Sequence, residues 1–429
     1  MRFVIIGVSD CHSPWFPPEV IGIIRNGRVF SGGRRHHEIV EPLLPEKAEW
    51  IDITAPLDNV FERYAAMDSR HTEPNSGNVT DDAPLPIIVF ASGDPLFFGF
   101  ANTVRRKMPD AEITVYPTFN SLQMLAHRLV LAYHDMRIVS LTGRPWHEFD
   151  RALIERAAKI GVLTDKEHTP AAIARRMTDY GYDGYTMYVG EHLGNPDKES
   201  VSALTLHEAA GKEFGQPNCL ILCSTDSGGG STVRRYGLPD SEFALLDGRQ
   251  KMITKMPVRL LTLQALDLPR RHVLWDIGFC TGSVSIEARL LFPHLQVEAF
   301  EIRPECEAII ADNARRFGAP GINVHIGDFL NYEASATHTA LPRPDAVFIG
   351  GHGGRLKEIM AKAKAVLADG GCMVMNSVKA PRVRTDSHRL WDEACSELGL
   401  RQEQPLHILL DDNHPIEILK CEKRGLKRS

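Results

Sequence analysis

Short apolar segments rich in β-branched residues recur through the first half of the chain. They occupy residues 2–7, 86–90, 112–116, 137–141 and 219–223. Apolar residues at nearly every position, instead of at alternate positions, are typical of strands that are covered on both faces. Stretches with helical spacing, such as residues 171–180, lie between these segments. The pattern therefore predicts an α/β fold with parallel strands.

The same pattern restarts in the second half, after a segment whose composition is typical of a linker. Residues 224–232 read Ser-Thr-Asp-Ser-Gly-Gly-Gly-Ser-Thr, and Gly- and Ser-rich segments form flexible connections. We therefore predict two domains, residues 1–223 and 237–429, joined by a linker at 224–236. The second domain is expected to open with a strand, a helix and a strand, followed by further strands, at residues 272–277, 283–291, 296–300, 323–326, 345–349 and 371–376.

Composition and charge narrow the classes of partner. The 429 residues are 43% hydrophobic and 24% charged, which is typical of a globular protein with enough chain for two cores. A net charge of -6 and a pI near 6.3 provide no basic field for a phosphate backbone, which disfavours nucleic acid as a partner. We expect a small-molecule substrate.

Neither a membrane location nor a metal site is predicted. No apolar stretch approaches the ~20 residues of a membrane span, and Asp10 interrupts the first apolar run before it reaches the length of a signal-peptide core. The eight cysteines are scattered without a CxxC pair, which indicates reduced thiols and no zinc site. We therefore expect a cytoplasmic protein that holds no metal ion of its own.

A glycine-containing turn in the second half has the position of a ligand site. Residues 276–283 read Asp-Ile-Gly-Phe-Cys-Thr-Gly-Ser, where the first strand turns into the helix. Glycines let the backbone approach a ligand closely, and the helix N-terminus offers N–H groups to a carboxylate. Glu301 ends the next strand, where a carboxylate can bind two ribose hydroxyls, and Gly327-Asp328 end the strand after it. A tight β–α connection without a ligand is the alternative.

The second half resembles a known family of methyltransferases. The turn is similar to the D-x-G-x-G-x-G signature of class I S-adenosylmethionine (SAM) methyltransferases, with Cys280 at the position of the middle glycine. Outside the turn, Pro257 stands where the family often has Glu. Residues 237–240, 253–259 and 344–351 extend the resemblance over 237–376, to the decarboxylating precorrin methyltransferase module that acts at C15. It implies a Rossmann-like domain whose cofactor is lined by Thr254, Gly278, Phe279, Cys280, Thr281, Gly282, Glu301, Gly327 and Asp328.

The first half resembles a different family. Residues 91–99 read Ala-Ser-Gly-Asp-Pro-Leu-Phe-Phe-Gly. Gly-Asp-Pro alone fits an ordinary turn, but the nonapeptide is similar to the cofactor loop of the tetrapyrrole methylases, and most of residues 1–223 resemble their precorrin C5-methyltransferase module. The resemblance implies a class III SAM methyltransferase fold of two α/β subdomains with the cofactor in the cleft between them. Its implied cofactor residues are Gly7, Gly93, Asp94, Pro95, Phe97, Asn120 and Ser121.

The first half also departs from that family. Residues 7–11 stand where the family usually has G-x-G-P-G, and Thr142 stands where it often has His. Arg34, Arg35 and His36 are candidates to bind carboxylates of the macrocycle, because Arg forms bidentate charge-assisted hydrogen bonds. A solvated charge cluster is the alternative for each of them.

Together the resemblances imply methylation of a precorrin at C5 by the first domain. The second domain would methylate C15 and release CO2 from the C12 acetate, giving precorrin-8X in cobalamin biosynthesis. The macrocycle would be precorrin-6B or its cobalt form. His352 and Arg355 are candidates for the reacting face, with an exposed loop pair as the alternative. The resemblance also implies a homo-oligomer and handover contacts with neighbouring corrin-pathway enzymes.

Two other functions stay open at this point. In the first, only one module is active and the other has become a binding module. The second is a nicotinamide-dependent oxidoreductase, which the missing G-x-G-x-x-G spacing disfavours.

Overall fold

The computed structural model of the protein describes residues 1–11, 14–70, 85–225, 236–249, 252–332, 341–378, 386–409 and 415–423. Contacts divide the chain into two compact units. The first unit comprises Met1–Arg144, Ala158–Ala174 and Tyr185–Thr225, and the second comprises Pro145–Ala157, Arg175–Gly184 and Asp226–Ser429. Most of the predicted linker at 224–236 lies outside the described residues. Within them, no helix is long and apolar enough to cross a membrane.

The first unit contains two five-stranded sheets. Their strands are β1 (Arg2–Val8), β2 (Val29–Gly32), β3 (Glu49–Asp52), β4 (Ile87–Ser92), β5 (Glu112–Tyr116), β6 (Arg137–Ser140), β7 (Lys159–Leu163), β8 (Tyr185–Glu191), β9 (Ser200–Thr205) and β10 (Asn218–Ser224). The first sheet has the order β3-β2-β4-β1-β5 and is parallel throughout. The second has the order β6-β7-β10-β8-β9 and is parallel only between β6 and β7.

Strand β1 shows why its sequence is apolar at successive positions. Phe3 and Ile5 lie in one buried cluster, whereas Ile6 and Val8 lie in another on the opposite face of the sheet. Because successive side chains point to opposite faces, a strand covered on both sides needs apolar residues throughout. The prediction of an α/β fold with parallel strands is confirmed.

Helices follow most of the strands in both units. They are α1 (Pro18–Asn26), α2 (Arg34–Val40), α3 (Asp58–Arg70), α4 (Phe100–Lys107), α5 (Ser121–Leu129), α6 (His147–Ile154), α7 (Pro170–Asp179), α8 (Leu206–Ala210), α9 (Met256–Ala265), α10 (Ser283–Leu291), α11 (Glu305–Phe317), α12 (Leu356–Val366) and α13 (Asp386–Leu398).

The second unit is built on one eight-stranded sheet. Its strands are β11 (Val273–Ile277), β12 (Gln296–Glu301), β13 (Ile322–Ile326), β14 (Ala346–Ile349), β15 (Cys372–Val378), β16 (Arg401–Gln402), β17 (Leu406–Leu409) and β18 (Pro415–Glu422). The order is β13-β12-β11-β14-β15-β18-β16, and β17 also pairs with β18. The five strands from β13 to β15 are parallel, and β18 is antiparallel to its neighbours.

A buried ion-pair network fixes the segment that precedes this sheet. Arg259 on α9 is fully buried, and its Nε donates to Glu287 on α10 at 2.6 Å. The same guanidinium donates to Asp240 at 3.0 Å and to the carbonyl of Thr254 at 2.7 Å. The backbone N–H of Leu238 donates to Glu287 at 3.0 Å. These contacts hold the chain before β11 against α9 and α10. Residues 237–240 and 253–259, which take part in them, belong to the segments that resemble the precorrin methyltransferase module.

Candidate functional sites

The first unit has a pocket of about 450 Å³ at the carboxyl ends of β1 and β4. The loops after these strands, the start of α5 and residues of the second sheet line it. Of the predicted site residues, the structure places six in its wall: Gly93, Phe97, Asn120, Ser121, Arg35 and His36. Gly7, Asp94, Pro95 and Arg34 are not among the described lining residues.

Glycine is required where the end of β1 meets the loop that follows β4. A β-carbon at Gly7 would lie 2.0 Å from the carbonyl oxygen of Gly93 and 2.8 Å from the backbone nitrogen of Thr118. Gly93 itself has φ +61°, in the left-handed region that favours glycine. Its N–H donates to the carbonyl of Val8 at 3.0 Å. Gly7 therefore acts beneath the pocket, by letting the Gly93 loop approach β1.

The neighbouring polar residues shape the loops through local hydrogen bonds. Asp94 accepts a hydrogen bond from the N–H of Leu96 at 2.9 Å, as turn-forming Asp residues do. Asn120 caps α5: its side chain accepts from the N–H of Gln123 at 2.9 Å, and the Gln123 side chain accepts from the N–H of Asn120 at 3.1 Å. This capping box fixes the start of the helix at the pocket wall.

The three basic candidates do not share one environment. The Arg34 side chain is 92% exposed and pairs with Glu38 on its own helix, which favours the solvated-charge alternative for this residue. Arg35 and His36 instead reach Ser92 at the end of β4, each at 2.9 Å. On its other side, Arg35 lies 3.5 Å from Asp10.

The second unit has a pocket of about 340 Å³ at the carboxyl ends of β11, β12 and β14. Six predicted residues line it: Gly278, Glu301, Gly327, Asp328, His352 and Arg355. Thr254 and residues 279–282 are not among the described lining residues. Residues 279–282 connect Gly278 to α10, and Thr254 lies shortly before α9.

The glycine turn is required for close packing around this pocket. Gly278 has φ +79°, and a β-carbon there would lie 2.7 Å from the backbone nitrogen of Gly351. Gly282 has φ +73°, and its β-carbon would lie 2.3 Å from Ile310 on α11. Cys280, at the middle position, also has a positive φ of 52°. Burial raises the pKa of the Cys280 thiol, so the residue packs as a neutral thiol.

Glu301 is a buried carboxylate surrounded by donors. It is 3% exposed and accepts hydrogen bonds from the N–H groups of Cys280 at 3.0 Å and Ile302 at 3.0 Å. The guanidinium of Arg303 binds both of its oxygens, at 2.9 and 2.8 Å. Burial acts to raise the pKa of Glu301, but Arg303 and the N–H donors outweigh it and hold that pKa below its usual value. Glu301 is therefore ionised at neutral pH.

The pKa of Asp276 is shifted in the opposite direction to that of Glu301. It is fully buried at the end of β11, and one of its oxygens accepts from the hydroxyl of Ser285 at 2.6 Å. Among the described residues its other oxygen, Oδ1, has no hydrogen-bond partner. Burial raises the pKa of Asp276 to about 7, although the hydrogen bond from Ser285 acts to lower it.

The two candidates for the reacting face have partners of their own. Nδ1 of His352 accepts from the N–H of Gly354 at 3.2 Å, and Nε2 lies 3.0 Å from the hydroxyl of Ser387. Burial lowers the pKa of His352, which keeps the ring neutral. Arg355 binds Asp328 at 2.7 Å and also contacts Glu358. These contacts hold both residues at the edge of the pocket.

The walls also include residues that were not predicted as site residues, among them three that make charged or polar contacts with predicted ones. Ser92 and Asp10 in the first pocket, and Arg303 in the second, gain their roles from contacts with distant or flanking side chains. Ser92 belongs to the nonapeptide at 91–99 and ends an apolar strand, and both features are signals that would have indicated it.

Comparisons with known proteins define the class of each half. Residues 2–210 match the family model described as Tetrapyrrole (Corrin/Porphyrin) Methylases. Residues 247–396 match the one described as Precorrin methyltransferase domain. The two pockets thus belong to two different methyltransferase modules in one chain.

Similarity to individual proteins shows which family the chain belongs to. The chain is 33% identical to a precorrin-6Y C(5,15)-methyltransferase [decarboxylating] of a Sinorhizobium species, over 87% of this chain and 84% of that protein. A cobalt-precorrin-6B C(15)-methyltransferase (decarboxylating) of Salmonella typhi is 36% identical over 42% of this chain and 93% of its own length. A cobalt-precorrin-7 C(5)-methyltransferase of Salmonella typhimurium is 30% identical over 25% of this chain and 52% of its own length. The chain belongs to the decarboxylating precorrin-6Y C5,15-methyltransferase family.

Proposed function

We propose that this protein is a bifunctional methyltransferase that converts precorrin-6B (precorrin-6Y), or its cobalt form, to precorrin-8X. One module methylates C5, and the other methylates C15 and releases CO2 from the C12 acetate. The observation that carries the proposal is the presence of two separate glycine-built pockets, one in each module, in a chain that matches a fused relative over 87% of its length.

We assign residues 1–223 to the C5 module and residues 237–429 to the C15 module, with 224–236 as the linker. The second module is proposed to be a Rossmann-like class I methyltransferase domain. The assignment is supported by a run of five parallel strands, because the carboxyl ends or following loops of β11, β12, β13 and β14 line the second pocket.

The residues of the second pocket fit SAM as the cofactor. Gly278 lets its turn pack directly against the backbone of Gly351 in the pocket wall, and Glu301 is an ionised carboxylate at the end of β12, where it suits a ribose diol. The hydroxyl of Thr281, which is 1% exposed, and Oδ1 of Asp276 have no hydrogen-bond partner among the described residues. Such buried polar atoms are expected to find partners when a polar ligand binds.

The first pocket fits the same cofactor by different means. Gly7 and Gly93 bring two loops together, and the capped start of α5 at Asn120 and Ser121 forms the adjacent wall. Backbone groups of these loops are available to a nucleotide-like ligand in a pocket of about 450 Å³. We propose Gly93, Phe97, Asn120 and Ser121 as contacts, with Gly7, Asp94 and Pro95 shaping the loops.

SAM supplies an electrophilic methyl group on a sulfonium, so the transfer is an in-line displacement by an electron-rich carbon of the macrocycle. The protein contributes mainly position, because a bound near-attack geometry accounts for much of the rate of such reactions. In the second pocket, Arg355 is proposed to orient the C12 acetate, whose carboxylate leaves as CO2 while its methylene carbon stays on the ring as a methyl group. His352, which is neutral and holds Gly354, is proposed to shape the loop beside it.

The order of the two reactions follows from the relatives that carry them separately. The C15 enzyme is named for cobalt-precorrin-6B and the C5 enzyme for cobalt-precorrin-7. We propose that the second module of this chain acts first, and that the first module completes the sequence.

The test is turnover of a defined pigment. Purified protein is mixed with SAM and enzymatically prepared precorrin-6B, with and without cobalt, and the products are followed by mass spectrometry. Gain of two methyl groups with loss of one CO2 is expected. A gain of one methyl group would leave one module silent, and an unchanged pigment in both metal states would refute the assignment.

A further inference from the structure

Three side chains meet at the mouth of the first pocket, and we call them the Ser92 cluster. The hydroxyl oxygen of Ser92 lies 2.9 Å from Nη2 of Arg35 and 2.9 Å from Nε2 of His36. All three residues line the pocket. Ser92 ends β4, and the other two begin α2, so the contact joins segments that are 56 and 57 positions apart.

The protonation of His36 is fixed by its second contact. Its Nδ1 lies 3.2 Å from the N–H of Gly33, which can only donate, so Nδ1 accepts and carries no proton. Burial, and then the charge of Arg35, lower the pKa of His36 to about 4, while Asp10 acts in the opposite direction. His36 is therefore neutral near pH 7, with its single proton on Nε2.

The hydroxyl of Ser92 consequently accepts two hydrogen bonds. Nε2 of His36 donates one, and Arg35, which has only donors, gives the other. Both lone pairs of the oxygen are then used, and its own proton points away from both partners. Ser92 thus presents a polarised O–H donor at the pocket surface.

Arg35 offers further donors at the same place. It has five N–H groups, and one of them binds Ser92. Its Nη1 lies 3.5 Å from Asp10, which is the range of an ion pair and longer than an ordinary hydrogen bond. Asp10 in turn lies 3.8 Å from His192, so the aspartate holds the guanidinium against the pocket wall.

We propose that the Ser92 hydroxyl and the Arg35 guanidinium together bind one carboxylate group, and that this carboxylate is a side chain of the macrocycle. The inference rests on the proposed function and adds a subsite to it. A carboxylate has two acceptor oxygens, which match one O–H donor and one N–H donor that lie side by side. The carboxylate of SAM is the other source of the same chemistry.

The test compares C5 and C15 methylation by the same variant. C15 methylation, which belongs to the other pocket, is the control for correct folding. The full chain, as wild type, S92A, S92T or R35Q, is given precorrin-6B and SAM, and C5 and C15 methylation are quantified separately. Binding of S-adenosylhomocysteine is measured by calorimetry on the same samples. S202A, which changes a half-buried serine on β9, and R25Q, which changes an exposed arginine on α1, are matched controls.

In S92A the KM for C5 methylation should rise about tenfold with little change in kcat, because a hydrogen bond to a charged group is lost. R35Q should raise that KM further, and S92T, which keeps a hydroxyl, should retain most of the wild-type value. C15 methylation should stay unchanged, which shows that the protein is folded and that the proposed function holds. Absence of both methylations in the wild type would refute the proposed function instead.

The source of the carboxylate follows from the same measurements. A raised KM with unchanged binding of S-adenosylhomocysteine supports a carboxylate of the macrocycle. Weaker binding of S-adenosylhomocysteine in both S92A and R35Q supports the carboxylate subsite but assigns it to the cofactor. If neither the KM nor that binding changes in either variant, the subsite does not exist.

Discussion

Asp276 should make the second unit less stable as the pH rises. Burial raises its pKa in the folded protein to about 7, whereas an ordinary Asp ionises near 3.8. Between these values the unfolded chain has released the proton and the folded chain still holds it. The unfolded state therefore binds fewer protons, and the free energy of unfolding falls as pH increases up to about 7.

The magnitude follows from the two pKa values. Each pKa unit corresponds to about 1.4 kcal/mol, so the full penalty above neutral pH is about 4 kcal/mol. Integrating the same relation between about pH 5 and about pH 8 gives a loss of about 2 to 3 kcal/mol from this one group. Asn at this position cannot ionise, so D276N should be free of that loss.

The assay is urea unfolding of the full chain without cofactor, followed by tryptophan fluorescence at the two pH values. D276N should gain about 2 to 3 kcal/mol relative to the wild type on going from the acidic to the alkaline condition. D312N is the matched control, because Asp312 is an exposed carboxylate on α11 of the same unit. If the difference between D276N and the wild type is the same at both pH values, Asp276 does not ionise near 7 and the reasoning fails.

Three further predictions follow from the second unit. G278A should abolish one of two S-adenosylhomocysteine binding events in calorimetry, because its β-carbon would lie 2.7 Å from Gly351; two intact events would contradict the close packing. E301Q should weaken that same event about tenfold through loss of the ionised acceptor, and an unchanged Kd would exclude Glu301 from the site. R259M should lower the free energy of unfolding by about 3 to 5 kcal/mol, because it leaves Glu287 buried without its cation. A urea midpoint equal to that of the wild type would contradict a stabilising role for the Arg259–Glu287 ion pair.

The strands and the glycine turns could be predicted because their causes are local. A strand such as β1, covered on both faces, requires an apolar run that is visible in the sequence. Gly278 directly follows a predicted strand, Gly282 directly precedes a predicted helix, and Glu301 ends the next predicted strand. Parallel strands then bring these residues to one edge of the sheet.

Other features depend on contacts that no local pattern indicates. Whether Arg34 or Arg35 enters the pocket is decided by the orientation of α2, and the contacts of Ser92 with Arg35 and His36 join residues more than fifty positions apart. The raised pKa of Asp276 likewise arises from its burial beside α10, whereas the sequence shows only an acidic residue in a family motif.

The most direct test of two independent methyltransferase sites uses SAM labelled with 13C in its methyl group. Pigment made by the wild type should carry the label at both C5 and C15 and should have lost one CO2. G7A, whose β-carbon would lie 2.0 Å from Gly93, should yield pigment labelled at C15 alone, with CO2 still lost. G278A should lose both the C15 label and the decarboxylation, and with them the C5 label, because the C5 module is proposed to act on the product of the C15 module. Persistence of the C5 label in G7A, or of the C15 label in G278A, would contradict the assignment of one reaction to each pocket.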